Sequence, residues 1–355
     1  MKKVLLPALI LGILCSFDTG FAQKTASRYG GDFLKIPPGV RAAGMGSAFT
    51  AIANDASGFF YNPAGSSLVP GNIISSQIGN QFGTVTDPAS VYTFLGYHQH
   101  LGALGAFSFN WIRLGVDDIQ FLAELGYNKS ERKGNAARYA LDAPVFGNAQ
   151  DAFIVNFSKE IGTVIDFGWN YFKVPYRIPI GINLKYIRQS FSSSDSDVEK
   201  KIGQSASGIG IDAGIMVITN LNDYVARNYF GTFSFGLVSK DISNTILSWE
   251  DQIETSIPRS WAWSVAYLQP LEWMKSTVQI AYQEETDYET FTSVGVEYTY
   301  DQLLQVRAGY RREEPTLGVG LFLFKSLSVQ YSFQKHDLGN PHQVGLSFNL
   351  EPWLK

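Results

Sequence analysis

The chain has 355 residues and a formal net charge of −4, with 14% aromatic residues, only 17% charged residues and 34 glycines. Low charge with many aromatics and glycines favours an all-β protein with tight turns over a helical one. Basic residues do not cluster, so the balance argues against nucleic acid as a partner.

Residues 1–22 read as an export signal. Lys2 and Lys3 give a positive start, Val4 to Phe17 an apolar stretch, and Gly20-Phe21-Ala22 a small-x-small cleavage site. Loss of Lys2, Lys3 and Asp18 takes the net charge from −4 to −5. Leu14 stands before Cys15 where lipid attachment needs a small residue, which argues against a lipoprotein. Cys15 is the only cysteine, so the processed chain offers no disulfide, thiol nucleophile or cysteine metal site. No later apolar run approaches the roughly 18–20 residues of a spanning helix. The processed chain is then either a soluble exported protein or a membrane barrel.

Gly39 to Leu68 is the one long run dominated by Gly, Ala and Ser. Small residues let backbone approach backbone, and the spacing of Met45, Ala48, Phe49 and Ile52 predicts a short helix over 45–53. Asn62-Pro63-Ala64-Gly65 forces a turn, because Pro fixes φ and restricts the residue before it. Such a run suits a compact plug inside something larger, and equally an arm over a soluble core.

The pattern G-x-R-A-x-G-M-G-x-A-F-x-A-x-A-x-D-A-S-x-x-x-x-N-P-A-G runs from Gly39 to Gly65. It resembles the amino-terminal signature of FadL-like outer-membrane barrels, and most of all the shorter PorV/PorQ branch associated with type IX secretion. The resemblance implies a 14-stranded antiparallel transmembrane β-barrel with residues 23–70 folded inside as a hatch. Arg41, Gly44, Gly46, Asp55, Asn62, Pro63, Ala64 and Gly65 are the hatch positions that carry it. The organisation expected is a signal at 1–22, the hatch at 23–70, a barrel over 71–350 and a short tail at 351–355.

From residue 71 onward the chain alternates, as barrel strands do with about 9–11 residues each, apolar side to lipid and polar side to the lumen. Two weaker candidates come first, near Ile73–Phe82 and Val91–Tyr97, the second apolar on both faces so that its register stays open. Outward rows follow at Phe107-Phe109-Trp111, Phe153-Val155-Phe157, Ile180-Ile182-Leu184-Tyr186, Ile209-Ile211-Ala213-Ile215-Val217 and Phe233-Phe235-Leu237. The next are Trp261-Trp263-Val265-Tyr267, Val278-Ile280-Tyr282 and Thr292-Val294-Val296-Tyr298-Tyr300. The last four start at Leu304, Leu317, Leu327 and Val344, and Pro352 ends the ladder. A sandwich also alternates, but connection lengths favour a barrel. Short turns such as His98–Gly102, Pro270–Lys275 and Tyr300–Gln302 fall on one rim; the long segments Gly115–Gln150, Ser192–Ser205 and Asp241–Pro258 fall on the other. Two short-side connections, near Ile161–Tyr176 and Asn220–Tyr229, are longer than that rule expects.

Catalysis has little support. No nucleophile elbow appears, and His98-x-His100 lacks an evident third ligand, so the pair reads as rim histidines rather than a metal site. Nothing calls for a cofactor. Inward Lys185, Asp212, Glu297, Arg307 and Arg311 could line a solute path, but burial beside a plug favours pairing them. Trp261, Trp263, Tyr298 and Tyr300 read as lipid-contact or interfacial residues.

Two functions follow from the resemblance. The main expectation is a non-enzymatic secretion accessory in the outer membrane, with secretion-system components or exported cargo proteins as partners. The alternative is a passive transporter of long-chain fatty acids or other hydrophobic small molecules. In that case the hatch around Asn62-Pro63-Ala64 gates the lumen, and Pro179 marks a strand irregularity opening sideways. Both place the chain against outer-membrane lipid.

Overall fold

A computed structural model describes residues 30–121, 129–130, 143–166, 173–224, 229–251, 253–287, 289–324 and 326–353. The expected export signal, residues 23–29 of the expected hatch, and Leu354 and Lys355 of the tail lie outside this set.

The strands are β1 (Asn72–Gly83), β2 (Pro88–His100), β3 (Ala106–Gln120), β4 (Val145–Asp166), β5 (Lys173–Ser192), β6 (Ser205–Asn220), β7 (Thr232–Lys240), β8 (Thr245–Trp249) and β9 (Glu254–Ile257). They continue with β10 (Ser260–Leu271), β11 (Ser276–Thr286), β12 (Thr290–Tyr300), β13 (Leu304–Arg311), β14 (Glu314–Leu323), β15 (Leu327–Gln334) and β16 (His342–Asn349). β1 to β7 and β10 to β16 pair with their neighbours in chain order, and β1 pairs with β16, closing an antiparallel ring of 14 strands. Every pair is antiparallel because every connection is a hairpin or a loop returning to the adjacent strand.

The expected alternation carries through the ring. Ile182, Leu184, Ile209, Val306, Leu317 and Leu346 are exposed on the outer face, while Asn183, Lys185, Arg307, Ser332 and Gln343 are buried on the inner one. Hydrocarbon accepts the first set, and the second set must find polar partners inside. The open register of β2 resolves as Ser90, Tyr92, Phe94, Gly96 and His98 inward, with Val91 and Leu95 outward. Tyr92 and Phe94 are buried on the inner face, where Phe94 stacks on Phe59 of the amino-terminal segment at 6.0 Å.

Three expectations change. Met45–Ala53 is not helical; the α-helical turns of this segment are Val40–Gly44 and Gly58–Tyr61, with 3-10 turns at Asp32–Lys35 and Pro63–Leu68. Gly46 and Ser47 at φ 62° and Ala53 at φ 36° leave right-handed helical space, which breaks the run the apolar spacing suggested. The Asp241–Pro258 connection is not plain loop, because β8 and β9 form a hairpin whose Trp249 and Ser248 pair with Ala206 and Ser207 of β6. The long Ile161–Tyr176 connection is mostly strand, since β4 and β5 stay paired out to Asp166 and Lys173.

Facing is testable on the last strand. Leu346 is outward and 46% exposed, and Ser347 is inward. Leu346→Arg should cost about 2–4 kcal/mol of membrane folding stability near the midplane, and Ser347→Arg much less. Denaturant titration of folding into lipid vesicles, read by heat-modifiable gel migration, checks this; equal costs would mean that the two faces are not distinct.

Candidate functional site

The residues from Asp32 to Leu68 lie against the inner face of the ring, and two features let them. The first is a set of inward glycines. A Cβ at Gly318 would stand 3.1 Å from the Gly44 Cα, one at Gly295 2.3 Å from the Met45 carbonyl oxygen, and one at Gly236 2.3 Å from that of Thr50. Backbone thus meets backbone where any side chain would intrude. Gly58 and Gly65 do the same within the segment, since a Cβ on either would strike the Ala53 carbonyl.

The second feature is a series of inward amides and hydroxyls that satisfy the segment's backbone. Gln77 accepts from Gly39 N at 2.6 Å, and the Gln283 side chain accepts from both Phe49 N and Thr50 N at 3.0 Å. Thr316 accepts from Gly46 N at 2.9 Å and donates to the Gly44 carbonyl at 3.1 Å. Ser234 donates to the Ala51 carbonyl, Asn183 to that of Phe59 and Asn156 to that of Pro63. An irregular segment has no ladder of its own, so buried groups need these partners.

The charged residues expected at the lumen separate into two clusters and one isolated position. In the first, Arg41 reaches Glu297 with both Nε (2.8 Å) and Nη2 (2.7 Å), and Arg307 Nε donates to the same carboxylate at 2.6 Å. Asp55 stands 3.6 Å from Arg41, whose Nη1 also donates to Asn54. Two guanidiniums and two carboxylates offset one another, with Glu297 at the centre. Burial lowers the Arg41 pKa, the Glu297 carboxylate raises it, and the net direction is upward. Burial also pushes the Tyr61 phenol up, so it stays neutral.

In the second cluster Lys185 bridges Asp212 at 2.7 Å and Asp241 at 2.8 Å. Thr245 donates to Asp241, and the Asp241 backbone N–H donates to Asp212. This ties the inner wall to the start of the β8–β9 hairpin. The third position, Arg311, stands apart on the long-loop side; its guanidinium donates to the Lys35 carbonyl and lies 5.6 Å from the Phe291 ring.

The Asn62-Pro63-Ala64-Gly65 turn is held from both sides. Asn62 Oδ1 accepts from Ala64 N, while Nδ2 donates to the Thr50 and Ile215 carbonyls at 3.1 Å each. Gly181 and Gly214 of β5 and β6 face this turn: a Cβ on Gly181 would meet the Pro63 carbonyl at 2.3 Å. Here the wall itself changes. β5 and β6 pair at Arg177↔Ile218 and again at Ile180↔Ile215, but Ile178 and Pro179 have no partner in β6, nor do Met216 and Val217 in β5. Pro179 has no N–H to offer. Behind the interruption sits a small apolar cluster of Ala53, Ala64, Met216 and Ile218, with Leu68 against it.

His98 is buried with its Nε2 3.1 Å from the Val69 carbonyl, and His100 is exposed. Among the described residues no group of three His, Cys, Asp or Glu is placed to hold a metal ion. On the long-loop side a cavity of about 380 Å³ opens above the segment, lined by Phe33, Ile36, Leu114, Gln81, Gln189 and Arg311 among others. Asn183 and Gln283 fall on the inward rows expected from sequence, though not as partners of the segment, while Asp241, Gln77, Asn156 and Thr316 emerge only from the packing. A weaker signal was present: each amide and hydroxyl falls on the inward parity of its strand.

Residues 12–112 match an uncharacterised protein family (UPF0164). No match was found among curated proteins. Among solved structures, a deltaS2 mutant of the TodX monoaromatic hydrocarbon channel is similar at TM-score 0.51 and 12% identity, over 87% of this chain and 96% of that one. A deltaS2S3 mutant of TodX gives 0.50 and 12%, over 88% and 97%. The Pseudomonas putida toluene transporter TodX gives 0.48 and 13%, over 88% and 96%.

If Glu297 is the hub of the first cluster, Glu297→Ala should cost more than Arg41→Ala. The former leaves two buried guanidiniums facing each other, with a penalty of about 3–5 kcal/mol for breaking a buried pair. The latter leaves Glu297 with Arg307. Trypsin cleavage after Lys35 in folded protein reads the release of the segment, and equal sensitivity in the two variants would refute the hub. The ring and its inner lining together make the chain a closed antiparallel barrel with the fold of the TodX-type channels.

Proposed function

We propose that this chain is an outer-membrane passive transporter for hydrophobic small molecules, with the segment 23–70 acting as a plug in its lumen. The observation that carries the reading is the coincidence at Pro179. The wall loses its pairing between β5 and β6 at the point where the Asn62–Gly65 turn and an apolar cluster stand behind it. An apolar solute reaching that cluster faces an apolar route sideways into lipid. The water-filled outlet of a porin would oppose it, because apolar surface gains about 25 cal/mol per Å² by leaving water. The relatives in fold are described as hydrocarbon channels, which agrees with this chemistry. A secretion-accessory role rests on the amino-terminal signature and on a chain short for a fatty-acid channel, and no feature of the described residues favours it over a solute path.

The interruption lends itself to a reversible test, since Cys15 is the only cysteine in the sequence. Ile178 and Val217 fall opposite each other by extension of the flanking register. With Ile178→Cys and Val217→Cys together, oxidation should sew the wall. Uptake of labelled toluene should then fall to the level of cells lacking the protein, and a reductant should restore it. Toluene uptake indifferent to the presence of the protein would defeat the transporter reading.

A further inference from the structure

The lumen glutamines divide into two groups by what they do. Gln77 and Gln283 hold the backbone of the amino-terminal segment. Higher, toward the long loops, Gln81, Gln150 and Gln189 come from β1, β4 and β5, and Gln334 and Gln343 from β15 and β16; all line the cavity of about 380 Å³. A channel built only for hydrocarbon gains nothing from such a lining, because each amide must be desolvated when an apolar solute enters.

On this lining Asp32 Oδ1 is answered by the Lys35 ammonium at 3.0 Å, and two further buried atoms lack hydrogen-bond partners and are of opposite kinds. Gln81 Oε1 is an acceptor without a donor, and Arg311 Nε is a donor without an acceptor. A hydrocarbon satisfies neither, a carboxylate cannot supply the donor, and an ammonium cannot supply the acceptor. A hydroxyl or an amide supplies both. Charge on the lining is partly answered from within, while Arg311 and Arg312 lie against the Phe291 ring. Lys35 stands 3.0 Å from Asp32 and 3.1 Å from Asp287, and Glu314 accepts from Gln334 at 2.7 Å. The rest of the lining includes Phe33, Ile36, Phe82 and Leu114, which suit an apolar body.

We infer that the cavity on the long-loop side is a binding site for uncharged, mainly apolar molecules that carry a hydroxyl or amide group, and that it sorts these from plain hydrocarbons before they reach the lower lumen. The site rests on the hydrophobic-solute reading above and narrows its substrate class. Its size suits a ligand of one or two rings, since small-molecule sites begin at about 300 Å³. Water also both donates and accepts, so the alternative to be separated is a cavity that holds water only.

Three probes of one size decide it: toluene, benzyl alcohol and benzoate, titrated calorimetrically against the full protein folded in detergent. Benzyl alcohol should bind about tenfold more tightly than toluene, the worth of one or two net hydrogen bonds, and benzoate no better than toluene. Gln81→Leu should bring the alcohol down to the toluene level, and Gln81→Glu, which keeps the acceptor, should retain the preference. Gln189→Leu provides a second route should Gln81→Leu fail to show heat-modifiable migration. Equal binding of all three probes, or a preference for benzoate, overturns the site. Absence of saturable binding with toluene uptake intact overturns it as well, leaving a water-filled cavity and the transporter reading in place. Loss of both binding and toluene uptake overturns the two together.

Discussion

Everything in this molecule follows from the cost of an unpaired backbone group in hydrocarbon. A segment of chain cannot cross lipid with free N–H and C=O groups, and a sheet with an edge cannot either. The ring satisfies this by pairing β1 with β16, so that no spanning strand has an open side. Closure then creates a second problem, because fourteen inward faces enclose a space that side chains alone must fill or line. The amino-terminal segment lies in that space, and its irregular backbone inherits the same demand for partners. It meets that demand from the wall, through Gln77, Gln283, Thr316, Asn156 and Asn183. Inward polarity here serves the segment's backbone as much as it serves water.

The inner wall accordingly has two chemistries at one level. Glycine at 236, 295, 309 and 318 removes bulk where the segment's backbone presses in, and amides supply bonds where it stands off. Glu297 joins these two by fixing Arg41 from the segment and Arg307 from the wall on one carboxylate. Removing a carboxylate from between two guanidiniums is worse than removing either guanidinium, and this makes the arrangement directional.

Much of this was legible in the sequence, and the reason is physical. Lipid sorts outward positions strongly, so Leu346 and Val306 declare their face by composition, and strand order follows from connections between neighbours. Arg41, Glu297 and Arg307 could be named as inward or segment charges, but not as one cluster, because Arg41 and Glu297 are brought together only by ring closure and packing. The β8–β9 hairpin was hidden because its strands are short and pair at the loop rim, where no lipid imposes a clean alternation. The segment's helices were misplaced for another reason. Met45, Phe49 and Ile52 are apolar because the lumen buries them, and helical spacing there is incidental to turns set by Gly46, Ser47 and Ala53.

The break at Pro179 is best understood against the same backbone cost. An interruption of pairing in the wall would be expensive if it faced lipid alone, yet here it faces lipid on one side and the Asn62–Gly65 turn on the other. Asn62 already donates to the Ile215 carbonyl at the edge of the gap, and Ala64 and Met216 exclude water from behind it. The segment therefore stabilises the weak point of the barrel, and the weak point gives the segment one of its contacts. Each contributes contacts to the other, so under the proposed transporter reading a movement of the turn would loosen the wall at the same place. A wall regular throughout would have no such coupling, and a turn packed elsewhere in the lumen could move without consequence for the strands.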